Sequence, residues 1–277
     1  MKSGNFWCYK NGVVIPTEEA TVSVQDIGML RGFGVYDGIA VINNKPLRLD
    51  DHVKRLRNSA AGLGLQVPDS DEQIEKAYDL LAEKMDATRF NTRVILTGGE
   101  MIEGLSFNPE KPTFYILAEP FLPLPDDIYT NGSSIVTHEF ERQYAQFKTI
   151  NYISAVVTAE KKRQANAIEV LFVSRGQVLE CATSNICIVK DGVLKTPEVG
   201  VLKGITRKIV LEITADQKVV EGPVSVEDLL LADEIFITSS FKDIVPIVTV
   251  DGRKLFDGPG PVTKMVIERY KKAAGLA

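Results

Sequence analysis

The sequence predicts an α+β fold on three observations. Short β-branched runs meet at Asn-Gly, Asp-Gly and related dipeptides that turn a chain back on itself. Amphipathic helical segments stand between these hairpins without a regular βαβ alternation, and one proline-rich stretch interrupts both patterns. With 277 residues, 44% of them hydrophobic, the chain can bury a sizeable core, as one large domain or two modest ones.

In chain order, "YKNGVVI" carries the first hairpin tip at Asn11-Gly12 and "VINNKPLRL" the second at Asn43-Asn44. "LDDHVKRLRNSAAGLG" and "SDEQIEKAYDLLAEKM" are amphipathic helices, the second opening with Ser70 and Gln73 at capping-box spacing. "AEPFLPLPDDIY", with Pro120, Pro123 and Pro125, breaks both periods and reads as a linker. The expected organisation is a domain over residues 1–118, a linker over 119–127 and a domain over 128–277. Beyond the linker, Tyr152, Ala155, Val156 and Ala159 share one face of a helical pattern that opens at Thr149. A packed helix is expected there, with Lys161, Lys162 and Arg163 as its solvated end and Lys148 at its entrance. Further tips stand at Gly176, Asp191-Gly192 and Asp251-Gly252, and "GITRKIVLEIT", "SVEDLLLA" and "PVTKMVIERYKKAA" supply three more helices. No internal repeat or low-complexity tract interrupts the series.

Composition narrows the function. Lys plus Arg number 32 against 37 Asp plus Glu, a net charge of −5, and no long basic run could track a phosphate backbone, so nucleic acid is not an expected partner. No apolar run approaches membrane-spanning or signal-peptide length, and a cytoplasmic protein is expected. Cys8, Cys181 and Cys187 are too few and too far apart for a disulfide framework or a metal clip and read as packing residues. With only His52 and His138, a histidine-rich metal site is not expected, and a Ser-His-Asp hydrolase would have to use one of the two.

Chemistry must rest elsewhere, and Lys148 offers it. Burial depresses the pKa of an ammonium, and a neutral amine forms a Schiff base with an aldehyde. Pyridoxal phosphate, the commonest such aldehyde cofactor, also needs a phosphate cup and a carboxylate for its ring nitrogen. "VLKGITRKIV" offers a cup, because Gly204 permits close backbone approach and Ile205 and Thr206 open a helix whose free N–H groups favour a phosphate. "FITSSFKD" adds Thr238, Ser239 and Ser240 after a strand, and Arg55 could add a charged clamp. Glu180 stands in the otherwise apolar and small-residue "GQVLECATSN", where an unpaired carboxylate would be costly. It needs a cationic partner, a role that a protonated pyridine nitrogen would fill.

Together these motifs resemble the fold type IV, or class IV, pyridoxal-phosphate aminotransferases, a group that holds branched-chain aminotransferases, D-amino acid transaminases and aminodeoxychorismate lyases. The likeness runs through "LRGFGVYDGI", "LDDHVKRL", "FKTINY", "LECATSNICIVKDGVLKTP", "LKGITR" and "ADEIFITSS", in the family's order. It implies a small N-terminal α/β domain, a larger C-terminal barrel-like α/β domain with the cofactor between the two, and a homodimer. It also implies residue roles: Lys148 as Schiff-base lysine and proton carrier; Arg55, Ile205, Thr206, Ser239 and Ser240 on the phosphate; Tyr152 at the ring hydroxyl; Leu202 against the ring face; and Glu180 at the ring nitrogen.

The resemblance also bears on the substrates, an amino acid and a 2-keto acid. Where branched-chain enzymes commonly carry an arginine after "FEGI" and a tyrosine before the "IRP" arginine, this chain has Ala40 and Asn91. Where the familiar bacillar D-amino acid transaminases carry "TRG", it has Thr97, Gly98 and Gly99. Arg31, Tyr36, Arg93 and Lys242 form the alternative substrate-binding set, similar to a less familiar group of D-amino acid transaminases in which two arginines, one from the neighbouring subunit, grip the carboxylate. A D-amino acid transaminase is therefore expected, with a branched-chain L-amino acid aminotransferase or an aminodeoxychorismate lyase as alternatives.

Overall fold

The computed structural model describes residues 6–276. They fall into two compact units: one runs to Leu122 and also takes Phe147–Asn151, the other comprises Pro123–Gln146 and everything from Tyr152 onward.

The first unit contains β1 (Trp7–Lys10), β2 (Val13–Pro16), α1 (Ile27–Arg31), β3 (Gly34–Ile42), β4 (Lys45–Pro46), α2 (Leu49–Gly62), α3 (Asp71–Lys84), β5 (Phe90–Thr97) and β6 (Thr113–Pro120). Its strands form one antiparallel sheet in the order β2-β1-β6-β5-β3-β4. Alternation gives the sheet two unlike faces. Val35, Ile39, Val41, Phe90, Val94, Leu96, Phe114 and Ile116 form one core with Leu56 of α2 and Ile74 and Leu81 of α3. Each such buried side chain contributes roughly 1.5–3 kcal/mol. Tyr36, Gly38, Asn91, Arg93 and Ile95 point to the other face, as the direct pairs Tyr36–Ile95 and Gly38–Arg93 require. The capping box of α3 is formed as the sequence indicates: Ser70 Oγ accepts from Gln73 N, and Gln73 Oε1 accepts from Ser70 N.

The second unit contains α4 (Asp126–Asn131), β7 (Ser133–Glu139), α5 (Ile153–Val157), α6 (Ala159–Gln164), β8 (Glu169–Ser174), β9 (Gln177–Cys181), β10 (Asn185–Lys190), β11 (Val193–Thr196), α7 (Ile205–Ile213), β12 (Val219–Glu221), α8 (Val226–Leu230), β13 (Glu234–Ser239), β14 (Asp243–Val250), β15 (Arg253–Lys254) and α9 (Pro261–Ala273). Its sheet runs β12-β11-β10-β13-β14-β7-β8-β9, with β15 beside β14. Parallel pairs β14–β7, β7–β8 and β11–β12 are set among antiparallel neighbours. Ile135, Leu171, Ile186, Ile188, Ile235, Ile237, Val245 and Ile247 build its main core.

All five hairpin tips lie where the turn dipeptides place them, and each pairs two residues of positive φ: Asn11 and Gly12, Asn43 and Asn44, Arg175 and Gly176, Asp191 and Gly192, Asp251 and Gly252. Two left-handed residues give a turn whose twist matches that of the strands it joins.

The expectation for residues 149–164 needs correction. The pattern is not one packed helix but two short ones, α5 and α6, separated at Thr158, whose Oγ1 donates back to Ser154 O at 2.7 Å. Neither buries a residue, and Ile153, Val156 and Val157 of α5 are 70%, 72% and 73% exposed. Helical spacing of apolar side chains therefore marks a face, but nothing within the described residues of this chain covers it. Among the described residues no helix is long and apolar enough to cross a membrane.

Candidate active site

Lys148 precedes α5 in an irregular segment that is stitched to the first unit. Its backbone N–H donates to Ser59 Oγ of α2 at 3.1 Å, and its carbonyl accepts from Tyr36 N of β3 at 2.9 Å. Two residues on, Ile150 N donates to Gly34 O at 3.1 Å, and Val35 bridges Thr149. The ring of Phe147 occupies the space over Gly62, where an added Cβ would come within 2.1 Å of Phe147 Cζ. The partly buried Lys148 side chain thus leaves a fixed backbone, and its Nζ lies 4.6 Å from the centroid of the Tyr36 ring, a cation–π contact.

Arg55 of α2 does not stand alone. Its Nε donates to Asp37 Oδ2 at 2.9 Å and its Nη2 to Asp37 Oδ1 at 2.6 Å, while His52 Nδ1 lies 2.7 Å from the same Oδ1. Asp37 and His52 are buried. Burial by itself would raise the Asp37 carboxyl, but the charge of Arg55 and the bonds from His52 and Arg55 hold it well below the usual carboxylate range. Burial lowers His52, which Asp37 only partly offsets, and Nδ1, beside a carboxylate held ionised, is the donor of that contact. Spacing gave Arg55 no partner; Asp37 and His52 are the residues that sequence reasoning missed.

Two of the proposed substrate residues in this unit have partners of their own. Arg93 of β5 pairs through Nη1 with Glu119 Oε2 of β6. Arg31 ends α1, is exposed, and donates from Nη1 to Leu30 O at 2.8 Å. The start of α1 is fixed by buried Asp26, which accepts from Gly28 N at 2.7 Å and from the hydroxyls of Thr97 and Thr113.

In the second unit Glu180 of β9 is buried and doubly held. Its Oε1 accepts from Arg142 Nε at 2.8 Å and its Oε2 from Leu202 N at 3.0 Å. The cation that this carboxylate requires is therefore present within the chain. Arg142 is in turn fastened by Nη2 to Ala145 O at 2.7 Å. Leu202 O accepts from Asn185 Nδ2 at 2.7 Å, which sets the strand-to-helix turn leading into α7. Gly204 is the N-cap of α7, no side chain caps the helix there, and Ile205 and Thr206 are its first, buried residues. A Cβ on Gly204 would lie 2.1 Å from Asn185 Oδ1, so glycine is needed for this approach. Tyr152 is the partly buried N-cap residue of α5.

Ser239 ends β13 and Ser240 begins the turn to β14; Ser239 Oγ accepts from Lys242 N at 3.2 Å. Beside them Thr238 Oγ1 is buried without a hydrogen-bond partner. Lys242 turns inward. Its Nζ lies 3.0 Å from Glu169 Oε1 and donates to Thr183 Oγ1 at 2.7 Å. Burial would raise the Glu169 carboxyl, but the Lys242 charge and the bonds from Thr183, Lys242 and Ser184 lower it.

This mixed α/β scaffold is that of the fold type IV aminotransferases. Residues 34–250 match the class IV amino-transferase family, and the chain belongs to it. It is 33% identical to a putative branched-chain-amino-acid aminotransferase of Methanocaldococcus jannaschii, over 95% of this chain and 94% of that protein. It is also 29% identical to a D-alanine aminotransferase of Listeria monocytogenes, over 96% of each. Its fold superposes on the branched-chain aminotransferase of Thermoproteus uzoniensis, solved with norvaline, with a TM-score of 0.89. That match covers 99% of this chain and 96% of the other, at 28% identity. A further branched-chain amino acid aminotransferase, solved with pyridoxamine 5'-phosphate, superposes equally well, at 27% identity over all of this chain and 96% of the other.

Proposed function

We propose that this class IV aminotransferase uses pyridoxal 5'-phosphate to move an amino group between a D-amino acid and a 2-keto acid, pyruvate or 2-oxoglutarate. The residues present fit the cofactor. Lys148 supplies the amine, Glu180 faces the ring nitrogen, Leu202 lies on the ring face and Tyr152 serves the ring hydroxyl. The phosphate takes Arg55, Ser239, Ser240 and the backbone donors of Ile205 and Thr206. Two observations support this assignment: the α7 start has no side-chain cap, and the buried hydroxyl of Thr238 has no partner.

Bound there, the cofactor supplies an electron-accepting ring for the pair released when the substrate α-carbon loses its proton. Lys148 Nζ would take the proton from the substrate α-carbon and serve as its carrier during the transfer. Its fixed backbone limits the amine to the arc of one side chain, which favours a single productive geometry. Glu180, oriented by Arg142 and Leu202 N, would accept the hydrogen bond of a protonated ring nitrogen.

The observation that carries the substrate reading is the register of β3 and β5. Gly38 faces Arg93 one same-face step from the Tyr36–Ile95 row, so Arg93 shares a sheet face with the tyrosine beneath Lys148. A guanidinium can hold a substrate carboxylate there by exchanging or sharing its bond to Glu119. In this reading Arg31 acts from the neighbouring subunit of a homodimer, and Lys242 contributes only if it leaves Glu169. The Methanocaldococcus relative favours the second reading, a branched-chain L-amino acid aminotransferase.

Incubation with D- and L-alanine, glutamate and leucine, each with pyruvate or 2-oxoglutarate, tests the choice. Turnover of D-amino acids is expected. Fast L-leucine turnover without D-activity would replace this reading by the branched-chain one, and pyruvate release from aminodeoxychorismate without an amino acceptor would make the protein a lyase. Mixed Arg31→Ala and Lys148→Ala subunits should regain activity if Arg31 acts across a dimer.

A further inference from the structure

We propose that Asp37 is the positioning residue of the phosphate clamp: with His52 it fixes the guanidinium of Arg55 before the cofactor arrives. The proposal rests on the reading that Arg55 binds the cofactor phosphate.

An arginine side chain has four rotatable torsions, and a phosphate that had to order all of them would bind weakly. Here they are already ordered. Asp37 of β3 is fully buried and takes Arg55 side-on, through Nε at 2.9 Å and Nη2 at 2.6 Å, a fork that fixes the guanidinium plane as well as its position. His52 completes the support. It lies one helical turn before Arg55 on α2, is 2% exposed, and places Nδ1 2.7 Å from Asp37 Oδ1, so the carboxylate is held from β3 by its own backbone and from α2 by two side chains.

The arrangement separates two tasks that a lone arginine would perform together. Asp37 sets the orientation through the fork it already holds, and the guanidinium of Arg55 supplies the positive charge for the phosphate. A lysine at position 55 could not serve in the same way, because a single ammonium cannot form a two-bond fork and its direction would remain open.

The test compares two ligands that differ only in the phosphate. Dissociation constants of the cofactor-free protein for pyridoxal 5'-phosphate and for pyridoxal are measured by fluorescence quenching in the wild type, Asp37→Asn, Asp37→Glu and Arg55→Ala. Loss of a residue that orients a ligating group commonly costs roughly 10- to 100-fold in affinity. We expect Asp37→Asn to weaken pyridoxal 5'-phosphate by that factor and to leave pyridoxal unchanged, with Asp37→Glu recovering part of the loss and Arg55→Ala losing at least as much. Equal weakening of both ligands, or no weakening of either, would overturn the proposal. A wild type that binds neither ligand would overturn the cofactor reading itself. A second measurement needs no variant: in arginine-labelled protein the Arg55 Nε–H should already be protected from exchange without cofactor. Protection that arises only on adding pyridoxal 5'-phosphate would mean that the cofactor, not Asp37, builds the clamp.

Discussion

Arg142 and Glu180 lie 38 positions apart in the chain and meet through a hydrogen bond of 2.8 Å from Nε to Oε1, with both side chains largely buried. The pair joins the segment before Lys148 to the strand whose carboxylate is assigned to the ring nitrogen. Each partner therefore has a distinct expected phenotype.

Glu180→Gln keeps the shape and the acceptor from Leu202 N but removes the charge that favours a protonated ring nitrogen. Cofactor should remain bound while kcat falls roughly a hundredfold or more, the scale on which a positioned proton-transfer group acts. Arg142→Met instead leaves Glu180 buried without its cation and should lower stability by about 3–5 kcal/mol. Spectroscopic titration and thermal unfolding of the two variants separate the effects; a Glu180→Gln protein of unchanged single-turnover rate would refute the assigned role.

Lys242, partly exposed, and the buried Glu169 make a second pair, at 3.0 Å. Lys242→Met should raise the Glu169 carboxyl and cost about 3–5 kcal/mol in stability, reduced by the hydroxyls of Thr183 and Ser184 that remain on the carboxylate. KM for the amino donor should change little. A large rise in KM at unchanged Tm would show that the lysine leaves Glu169 for substrate.

His52 should make the protein acid-sensitive near neutrality. Its folded pKa lies below the ordinary 6.5, so between those values the unfolded chain binds a proton that the native protein does not. That contribution to stability is complete above pH 6.5 and is lost as pH falls toward the folded pKa. Wild-type Tm should fall from pH 7.5 to 5.5 by more than that of His52→Gln; parallel slopes would show that His52 takes up its proton in the folded state.

Gly204→Ala places a methyl 2.1 Å from Asn185 Oδ1 and pushes on the side chain that fastens Leu202. A cost of about 1–3 kcal/mol is expected from overpacking, together with weaker cofactor binding, and Asn185→Ala in the same chain should relieve the clash. Equal cofactor affinity in Gly204→Ala would mean that α7 tolerates displacement.

The hairpin tips and the long helices were legible because their causes are local. An Asn-Gly or Asp-Gly pair takes positive φ at small cost wherever it stands, and Ser70 with Gln73 caps a helix start from within four residues. Lys148, Glu180 and Arg55 stood out as candidates because few residue types do the chemistry proposed for them. Their partners were not, since each charge found its counter-ion through the fold: Glu180 in Arg142, Lys242 in Glu169, Arg93 in Glu119, Arg55 in Asp37. The apolar spacing of 152–159 misled for a related reason. Spacing reports which side chains share a face, and burial depends on what stands opposite.

The five residues Phe147–Asn151 return to the first unit after the chain has already left it. A fragment ending at Leu122 would contain Ser59, Gly62, Tyr36 and Gly34, which hold the segment of Lys148, but not the lysine. The complementary fragment would carry Lys148 with nothing of its own to hold it. Split-gene halves joined at that point should thus be inert alone and regain the lysine's geometry only by reassociating, with a five-residue peptide as the latch.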